Sequence, residues 1–414
     1  MTEWFVLVES NTTGTGRLFC AVARGLGLRP VLLTRDPDRY PYVAEDGIEY
    51  RVVETTDVPA VLAASDELGG VVAGATSSSE YSIATAAEVA RRHGRPHPDP
   101  EAIRACRDKH TQRTLLRDGG VPSARFAAAA TPEDAVSAAT GLGLPVVVKP
   151  VAGSGSIGTR LCADLAEVHA AAAHVLLTDP AELALPPQRA VVVEEYLAGD
   201  EFSVETMDTT VVGVTRKHLG PEPFFVEIGH DFPAPLAAAD TRAIGEAAVA
   251  ALHALGLGWG AAHVELRWSP ELGPRVVEVN PRLAGGMIPR LVDEAIGVDL
   301  IAAAVARAAG RPVDLTPARA GAASIRFLVA ADDGVLREVT GVEAARAVPG
   351  VVDVTLTRDP GHQVRLRNSF QDRIGHVIAA ARAGSVAARA ADDGLRAIEA
   401  RIEPASAVAE GSLA

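Results

Sequence analysis

Short apolar runs alternate with alanine-rich stretches over the first hundred residues. The apolar runs, which predict β-strands, cover residues 4–8, 30–34 and 70–74, and the stretches with helical spacing cover residues 15–27 and 80–93. Strands that alternate with helices in this way are typical of βαβ units around a parallel sheet. The pattern therefore predicts a Rossmann-like α/β domain over residues 1–98.

A proline-rich segment at residues 95–100 separates this domain from the rest of the chain. Beyond it the pattern predicts helices at 100–119, strands near 190–194, 202–205 and 211–214, a helix at 240–255, strands at 322–330 and 351–355, and a helix from about Phe370 onward. We expect three further parts, residues 99–187, 188–320 and 321–404, and a tail at residues 405–414. The predicted class is α/β (α+β).

Composition and charge exclude several classes of partner. The 414 residues are 48% hydrophobic, which is enough for two or three domains with developed cores. A net charge of −14 argues against binding to nucleic acid or an acidic membrane, because phosphate groups attract cationic surfaces. The three cysteines have no metal-binding or disulfide spacing, and no apolar run resembles a signal core or a membrane span. We expect a cytoplasmic protein; a homodimer is compatible with the sequence, which fixes no oligomeric state.

Lysine is rare in this chain, which has three lysines and thirty-six arginines. Lys149 ends an apolar run and precedes a Gly/Ser-rich loop made of Gly153, Ser154, Gly155, Ser156, Ile157 and Gly158. Lys109 lies 40 residues earlier, among polar residues. A compact ammonium group binds a phosphate oxygen as a point charge, where a planar guanidinium group is bulkier. The two lysines therefore indicate a nucleotide-phosphate site; chance placement in an arginine-rich chain is the alternative.

Polar side chains alternate along two late strands. Glu278, Asn280 and Arg282 share one face of their strand, because side chains alternate between the two faces. A neighbouring antiparallel strand can place Glu265 opposite them. Carboxylate and amide oxygens are ligands that Mg²⁺ accepts alongside nucleotide phosphates. The pattern predicts a magnesium site, and a solvated strand edge with an ordinary ion pair is the alternative.

In chain order these pieces resemble the ATP-grasp superfamily, and the resemblance covers nearly the whole chain. It implies an ATP-grasp fold with an N-terminal Rossmann-like domain, two lobes that hold ATP between them, and a C-terminal lobe. By this resemblance Lys109 and Lys149 bind the α- and β-phosphates, and the loop from Gly153 to Gly158 closes over the β- and γ-phosphates. Lys217 faces either the phosphates or the solvent.

The resemblance also assigns the rest of the nucleotide site. The turn from Glu194 through Glu195 and Tyr196 to Leu197, which by itself is only an acidic turn, would bind adenine, and Glu201 would bind the ribose. Two Mg²⁺ ions, which Mn²⁺ can replace, would be bound by Glu265, Glu278 and Asn280. Arg282 would steady the phosphoryl group during its transfer.

Within the superfamily, the C-terminal half is most similar to carboxylate–amine ligases, including the bacilysin-type L-amino acid ligases. The similar segments are residues 225–233, 280–286 and 323–327. This similarity implies that a small acid, such as an amino acid, becomes an acyl phosphate with release of ADP, and that an amine then displaces phosphate to form an amide. Two alternatives stay open. A biotin carboxylase-like enzyme would activate bicarbonate, although such enzymes usually have a glycine-only loop where this chain has Ser154 and Ser156, and a nucleotide-binding protein would lack catalysis.

Two pairs of residues are candidates for contact with the substrate. Glu227 and His230 form a Glu-x-x-His pair in a segment that we predict to be a substrate-facing loop, although a lone histidine among apolar residues is more often structural. Together with Arg282 they are the candidate catalytic residues. Gly285 and Gly286 follow the metal-binding strand and would line the acceptor pocket. Some dipeptide-forming ligases have a bulky aromatic residue where this chain has Gly286, so the size of the substrate stays open.

Overall fold

The protein is described by a computed structural model that covers residues 1–11, 15–180 and 186–404. It divides into two compact units. The first unit comprises Met1–Ala124, Leu197–Thr215 and Leu236–Ala318, and the second comprises Arg125–Tyr196, Arg216–Pro235 and Arg319–Ala414. The four-part division expected from the sequence stays a prediction, and the expected tail lies outside the described residues.

Strands and helices alternate over most of the chain. The strands are β1 Glu3–Val8, β2 Arg29–Thr34, β3 Glu49–Val52, β4 Val71–Thr76, β5 Phe126–Ala129, β6 Val146–Pro150, β7 Arg160–Cys162, β8 Val191–Glu195, β9 Asp200–Met207, β10 Thr210–Leu219, β11 Glu227–Phe232, β12 Ala261–Ser269, β13 Gly273–Asn280, β14 Ala322–Val329, β15 Gly334–Thr340, β16 Val351–Leu356, β17 Gln363–Val364, β18 Arg373–Ala381 and β19 Glu399–Glu403. The helices are α1 Thr15–Gly25, α2 Tyr42–Glu45, α3 Val58–Asp66, α4 Ile83–Arg92, α5 Pro100–Arg107, α6 Lys109–Asp118, α7 Pro132–Leu142, α8 Leu165–Leu177, α9 Ala238–Ala254, α10 Ile288–Ile296, α11 Leu300–Ala308, α12 Val342–Arg346 and α13 Gly384–Arg396. Among the described residues, none of these helices has both the length and the apolar composition that crossing a bilayer requires.

The first unit begins with the expected parallel sheet, in which the strand order is β3-β2-β1-β4. Side chains of β1 alternate between two apolar cores. Phe5 and Leu7 pack with α1 and α11, whereas Val6 and Val8 pack with α4. Burial on both faces is the usual state of a parallel sheet, because helices cover each side. The sequence-based prediction of a Rossmann-like domain is confirmed.

The first unit also contains an antiparallel set of strands in the order β13-β12-β9. In this set, Glu265 of β12 lies opposite Glu278 of β13. The register that the alternation of polar residues predicted is therefore confirmed. Helix α9 packs beside β12 and β13 and buries Ile244 and Leu252.

In its described residues, the second unit contains three sets of paired strands. The sheet that carries the Gly/Ser loop is antiparallel, with the order β5-β8-β6-β7, and α7 and α8 cover it. A second set consists of the end of β10, from Arg216 onward, followed by β11, β14, β18 and β16, all antiparallel. The third sheet has the order β17-β15-β19.

Two predicted elements are wrong. The helix expected from about Phe370 onward is a single 3₁₀ turn, Phe370–Asp372, which leads into the buried strand β18. The segment with Glu227 and His230, expected to be a loop, forms strand β11 between β10 and β14. In both places, pairing with neighbouring strands decides the structure, and local sequence does not report such pairing.

A buried carboxylate holds the ends of the first strands together. Glu9, just after β1, accepts hydrogen bonds from the Thr34 hydroxyl (2.9 Å), the Arg35 backbone N–H (3.0 Å), the Tyr40 hydroxyl (2.7 Å) and the Thr55 hydroxyl (2.8 Å). Burial alone would raise the pKa of Glu9, but these four donors lower it below its ordinary value. The residue also has a left-handed backbone, with φ of 53°. The ionised carboxylate therefore connects β1 to the segments that follow β2 and β3.

We expect Glu9→Gln to lower the free energy of unfolding at pH 7 by about 2 kcal/mol, because hydrogen bonds to a charged acceptor are the stronger kind. The folded-state pKa of Glu9 lies below the ordinary value of 4.5, so this contribution is present above that pH and is lost as the pH falls through the folded-state pKa. Urea unfolding of parent and variant from pH 7 down to about pH 2, which spans the region below the ordinary pKa, measures it. Glu67→Gln, at an exposed glutamate of the same unit, is the control. A difference that is independent of pH would contradict the assignment.

Candidate active site

The predicted site residues divide between the two units. The first unit contains Lys109, Leu197, Glu201, Glu265, Glu278, Asn280, Arg282, Gly285 and Gly286. The second unit contains Lys149, the loop at residues 153–158, Glu194, Glu195, Tyr196, Lys217, Glu227 and His230. Each set forms its own network of polar contacts.

Three neighbouring strands of the first unit share one charged face. Because the pairing is in register, the face consists of Glu201, Ser203 and Glu205 of β9, His263, Glu265 and Arg267 of β12, and Glu278 and Asn280 of β13. Most of these side chains are buried. Buried carboxylates need compensating charge, and the strand register supplies it. β13 is the edge strand of this set, and Glu278 forms an ion pair with Lys109, so the alternative of a strand edge with an ordinary ion pair stays open.

The compensating charges come from both strands and helices. His263 contacts Glu205 at 2.8 Å and Glu265 at 3.1 Å. Burial alone would lower the pKa of His263, but the two carboxylates raise it to about 9. The Arg267 Nε donates to Glu201 at 3.0 Å, and the same guanidinium donates to the Gly199 carbonyl at 2.8 Å. Glu201, expected at the ribose, is therefore held in place by an arginine.

Lys109 lies at the start of α6 and contacts the same charged face. Its Nζ is 3.0 Å from a Glu278 carboxylate oxygen. Gln112, one turn later, donates to the Val279 carbonyl at 2.9 Å and accepts from the Val279 N–H at 3.0 Å. Arg113 also donates to the Val277 carbonyl. The Gln112 and Arg113 side chains thus bind the backbone of β13 and hold α6 against that strand. These contacts fix the position of Lys109 relative to Glu278.

The oxygen donors of this face suit a hard divalent cation. Glu265, Glu278 and Asn280 present two carboxylates and one amide oxygen on adjacent strands, which is the donor chemistry that Mg²⁺ accepts. No group of three His, Cys, Asp or Glu side chains in the described part of the chain is arranged to hold a metal by itself. A cation here would therefore depend on the amide and on phosphate oxygens as well. The magnesium site stays a prediction.

Arg282 has a partner that the sequence did not indicate. Its Nε donates to Glu80 at 2.9 Å, and Arg107 lies 3.4 Å from the same carboxylate. Glu80 follows β4 at the carboxyl end of the parallel sheet, where α/β proteins usually bind ligands. An acidic residue at the start of the helix predicted for residues 80–93, which follows the strand predicted for residues 70–74, was the signal that could have identified it.

In the second unit, Lys149 and Glu194 form a buried ion pair. Lys149 Nζ lies 2.6 Å from a Glu194 carboxylate oxygen, and both side chains are less than 10% exposed. The pairing of β6 with β8 places Val147 opposite Glu194, so the two charged side chains share one face of the sheet. The sequence assigned them to phosphate and to adenine, and the structure brings both together.

The turn that follows Glu194 is fixed by other contacts. Glu195 accepts from the Arg125 Nε at 2.7 Å, and the Tyr196 hydroxyl donates to Glu222 at 3.0 Å. Leu197 is buried at the start of the segment that returns to the first unit. The side chains of Glu195 and Tyr196 are thus committed to protein contacts, and binding of adenine by this turn stays a prediction.

The Gly/Ser loop needs small residues for its conformation. Gly153, Gly155, Ser156 and Gly158 all have positive φ, a region that disfavours residues with a side chain. Ser156 donates to the Phe225 carbonyl at 2.9 Å. A Cβ on Gly155 would lie 2.3 Å from the Phe370 ring. The loop therefore packs against the 3₁₀ turn of residues 370–372, a contact that the expected helix would not have indicated.

Glu227 is surrounded by cations. Lys217 Nζ lies at 2.7 Å, Arg373 at 2.8 Å and the His230 ring at 3.5 Å from its carboxylate. Burial alone would raise the pKa of Glu227, but these neighbours hold it well below its ordinary value. A carboxylate with so low a pKa is a poor proton acceptor. Lys217 is buried, so the expected alternative that it faces solvent is wrong.

His230 is fully buried, and its ring packs edge-on against Phe327 at a centroid distance of 5.4 Å. The Arg373 guanidinium covers the same Phe327 ring at 3.7 Å. Arg373 was missed because the sequence suggested a helix at its position. Its strand, β18, places it next to Glu227, which lies 146 residues earlier in the chain.

Comparisons with known proteins show what the chain is similar to. A model described as "ATP-grasp domain" matches residues 142–290, and one described as "L-amino acid ligase C-terminal domain 2" matches residues 326–403. An uncharacterized protein of Sinorhizobium fredii, y4rH, is 38% identical over 408 residues, which span 98% of this chain and 84% of that protein.

Two relatives carry the name of a ligase. The alanine–anticapsin ligase of Bacillus amyloliquefaciens is 28% identical over 243 residues, 54% of this chain, and the match spans about half (51%) of the ligase's length. The crystal structure of the L-amino acid ligase from Bacillus licheniformis superposes with a TM-score of 0.78 at 19% identity, over 97% of this chain and 99% of that one. The latter similarity supports the fold. The domain matches and the relatives together show that the chain belongs to the ATP-grasp superfamily and is similar to L-amino acid ligases.

Proposed function

We propose that the protein is an ATP-dependent ligase that joins the carboxylate of a small acid to an amine through an acyl phosphate, with an amino acid or a related acid as substrate. One observation carries the proposal. Glu265 and Glu278 lie opposite each other on adjacent strands, with Asn280 on the same face and Lys109 3.0 Å from Glu278. Phosphoryl transfer depends on positioning and on neutralising charge, and this face supplies groups for both.

The residues of the first unit would bind the phosphates and ribose. Glu265, Glu278 and Asn280 would hold Mg²⁺, which neutralises phosphate charge when bound. Lys109 would then bind a phosphate oxygen in place of Glu278. Glu201, oriented by Arg267, would accept hydrogen bonds from the ribose hydroxyls. In the second unit, Lys149 would bind phosphate, and Glu194 would accept from the exocyclic amine of adenine.

The substrate carboxylate would attack the γ-phosphorus, and the bond to the ADP oxygen would break. The amine would next attack the acyl carbon, phosphate would leave, and the amine would lose a proton. Arg282 would stabilise negative charge on the phosphoryl group during transfer. Glu227 is a poor candidate for the base, because Lys217 and Arg373 hold its pKa well below the ordinary value and the carboxylate therefore accepts a proton poorly. We assign Glu227 and His230 to positioning of the substrate.

Two observations separate this proposal from the alternatives. The similarity of residues 326–403 to the C-terminal domain of L-amino acid ligases favours an amine acceptor over a carboxylase that activates bicarbonate. Every lysine, carboxylate and arginine that the superfamily uses is present, which opposes a nucleotide-binding protein without catalysis.

We expect ATP-dependent phosphate release in the presence of pairs of L-amino acids and Mg²⁺, with a product whose mass equals that of the pair minus water. Glu278→Gln should lose at least about 100-fold in turnover, because a neutral amide is a weaker ligand for the cation. Its fold is checked by thermal unfolding. Phosphate release that requires bicarbonate and no amino acid would instead identify a carboxylase, and no release with any pair would contradict the proposal.

Lys149→Arg should weaken ATP binding about tenfold or more although the charge is kept. A planar guanidinium on a longer side chain cannot occupy a site in which the ammonium lies 2.6 Å from Glu194. Binding is measured by titration with ATP and Mg²⁺, and Arg160→Lys, on the neighbouring strand β7, is the control for exchange of the two residue types. Unchanged ATP affinity would show that Lys149 is structural.

The two glycines after β13, Gly285 and Gly286, differ in whether they tolerate a side chain. Gly286 has a left-handed backbone, with φ of 57°, so any side chain there is strained, whereas a Cβ on Gly285 would meet nothing within 4 Å. Gly285 is therefore the position at which pocket size can be tested. We expect Gly285→Trp to reduce turnover of a bulky amine at least about tenfold more than that of a small one, with ATP affinity unchanged. Gly285→Ala is the matched control, and equal losses for both amines would show that Gly285 lies outside the acceptor pocket.

A further inference from the structure

A cavity of about 520 Å³ lies within the first unit, at the carboxyl-terminal edge of the parallel sheet. It is lined by the segments that follow β1, β2, β3 and β4, and by one side of α5. This edge is where open α/β sheets bind ligands, because the strand ends and the first turns of the helices converge there. None of the roles assigned above to ATP or to the metal uses this cavity.

The lining of the cavity is positively charged in an acidic protein. Its charged residues are Arg35, Arg39, Arg104, Arg107, Glu9 and Glu80, a formal charge of +2 within a chain whose net charge is −14. The Glu9 carboxylate is turned toward four donors of its own, as described above. A local excess of positive charge on an acidic protein attracts and retains small anions.

The four arginines are paired to different degrees. Arg104 lies 3.0 Å from Glu88, and Arg107 lies 3.4 Å from Glu80 and 4.5 Å above the Tyr81 ring. Both are thus held in position on α5.

Arg35 and Arg39, which follow β2, also line the cavity and are exposed. Arg35 reaches Glu9 and Glu54 only at 3.8 Å and 3.9 Å. The Arg39 guanidinium lies 6.0 Å from the centroid of the Tyr40 ring. Two exposed guanidinium groups, in a cavity whose other two arginines are held by α5, suit a carboxylate or phosphate, which arginine binds through two parallel hydrogen bonds.

Glu80 connects the cavity to the candidate reaction site. Its carboxylate lines the cavity and accepts from Arg282, the residue assigned to the transferring phosphoryl group, at 2.9 Å. A substrate whose reacting carboxylate lies at Arg282 can therefore extend past Glu80 into the cavity. The volume is within the range of small-molecule sites and admits a chain of several atoms.

We propose that this cavity binds a second anionic group on the acid substrate, so that the enzyme activates a dicarboxylate or a phosphorylated acid in preference to a neutral amino acid. The proposal rests on the ligase function proposed above and names the substrate class of that site. Arg35 and Arg39 bind the distant anionic group, and Arg107 and Glu80 form the wall between that group and Arg282.

Matched acids test the proposal in the turnover assay. Phosphate release is measured for L-glutamate against L-glutamine, L-aspartate against L-asparagine, and O-phospho-L-serine against L-serine, each with a pool of amines. We expect the anionic member of at least one pair to have a KM at least about tenfold lower, and Arg35→Gln and Arg39→Gln each to raise that KM roughly tenfold. The KM for ATP should not change. Arg51→Gln, at an exposed arginine of β3 outside the cavity, is the control.

Direct binding separates this proposal from the proposed function. Glutarate and inorganic phosphate are titrated into the full chain without ATP, and into the Arg35→Gln and Arg39→Gln variants. Binding that the variants lose, without turnover of any pair, would support the anion site and overturn the ligase. Turnover that is equal for neutral and anionic acids and unaffected by either variant would overturn the anion site and leave the ligase standing. Absence of both binding and turnover would overturn both, and binding of phosphate but not glutarate would assign the cavity to phosphorylated acids.

Discussion

Each of the three lysines of this chain is buried, and each forms an ion pair with a glutamate. The pairs are Lys109 with Glu278, Lys149 with Glu194 and Lys217 with Glu227, at distances from 2.6 to 3.0 Å. Burying a charged group without a partner costs far more free energy than burying a paired one. Each buried lysine therefore needs a carboxylate close to it. ATP carries negative charge on its phosphates, and the metal ion bound to it carries positive charge. On the proposed function, a phosphate would bind Lys109 while the cation binds Glu278, so neither side chain of that pair would lose its counter-charge.

The same constraint explains what the sequence could and could not predict. The alternation of Glu278, Asn280 and Arg282 predicted a shared face. The strand register confirms it for Glu278 and Asn280, whereas Arg282 lies beyond the end of β13 and donates to Glu80. The scarcity of lysine identified Lys109 and Lys149. It did not identify their partners, because nothing local indicates which carboxylate lies opposite. Arg282 and Glu80 are 202 residues apart, and Arg373 and Glu227 are 146 residues apart.

The error near Phe370 has a specific physical cause. Ser369 and Asp372 form a capping box, which usually begins a helix. Here the helical turn ends at once, because the chain that follows pairs with both β14 and β16 and buries Ile374, Val377 and Ile378. The cap signal was real, but strand pairing stopped the helix after one turn. The short turn places Phe370 against Gly155, so the supposed helix start is instead a contact for the Gly/Ser loop.

On the charged face of the first unit, three cations lie against four carboxylates. Arg267 compensates Glu201, His263 compensates Glu205 and Glu265, and Lys109 compensates Glu278. Because burial opposes a protonated imidazole, the pKa of His263 reaches about 9 only through its two glutamates, and they in turn depend on its charge. Asn280, opposite His263, is neutral and needs no counter-charge. A divalent cation at this face would therefore meet carboxylates that protein cations already hold close together. The repulsion between those carboxylates would be lower than in an acidic cluster without such cations.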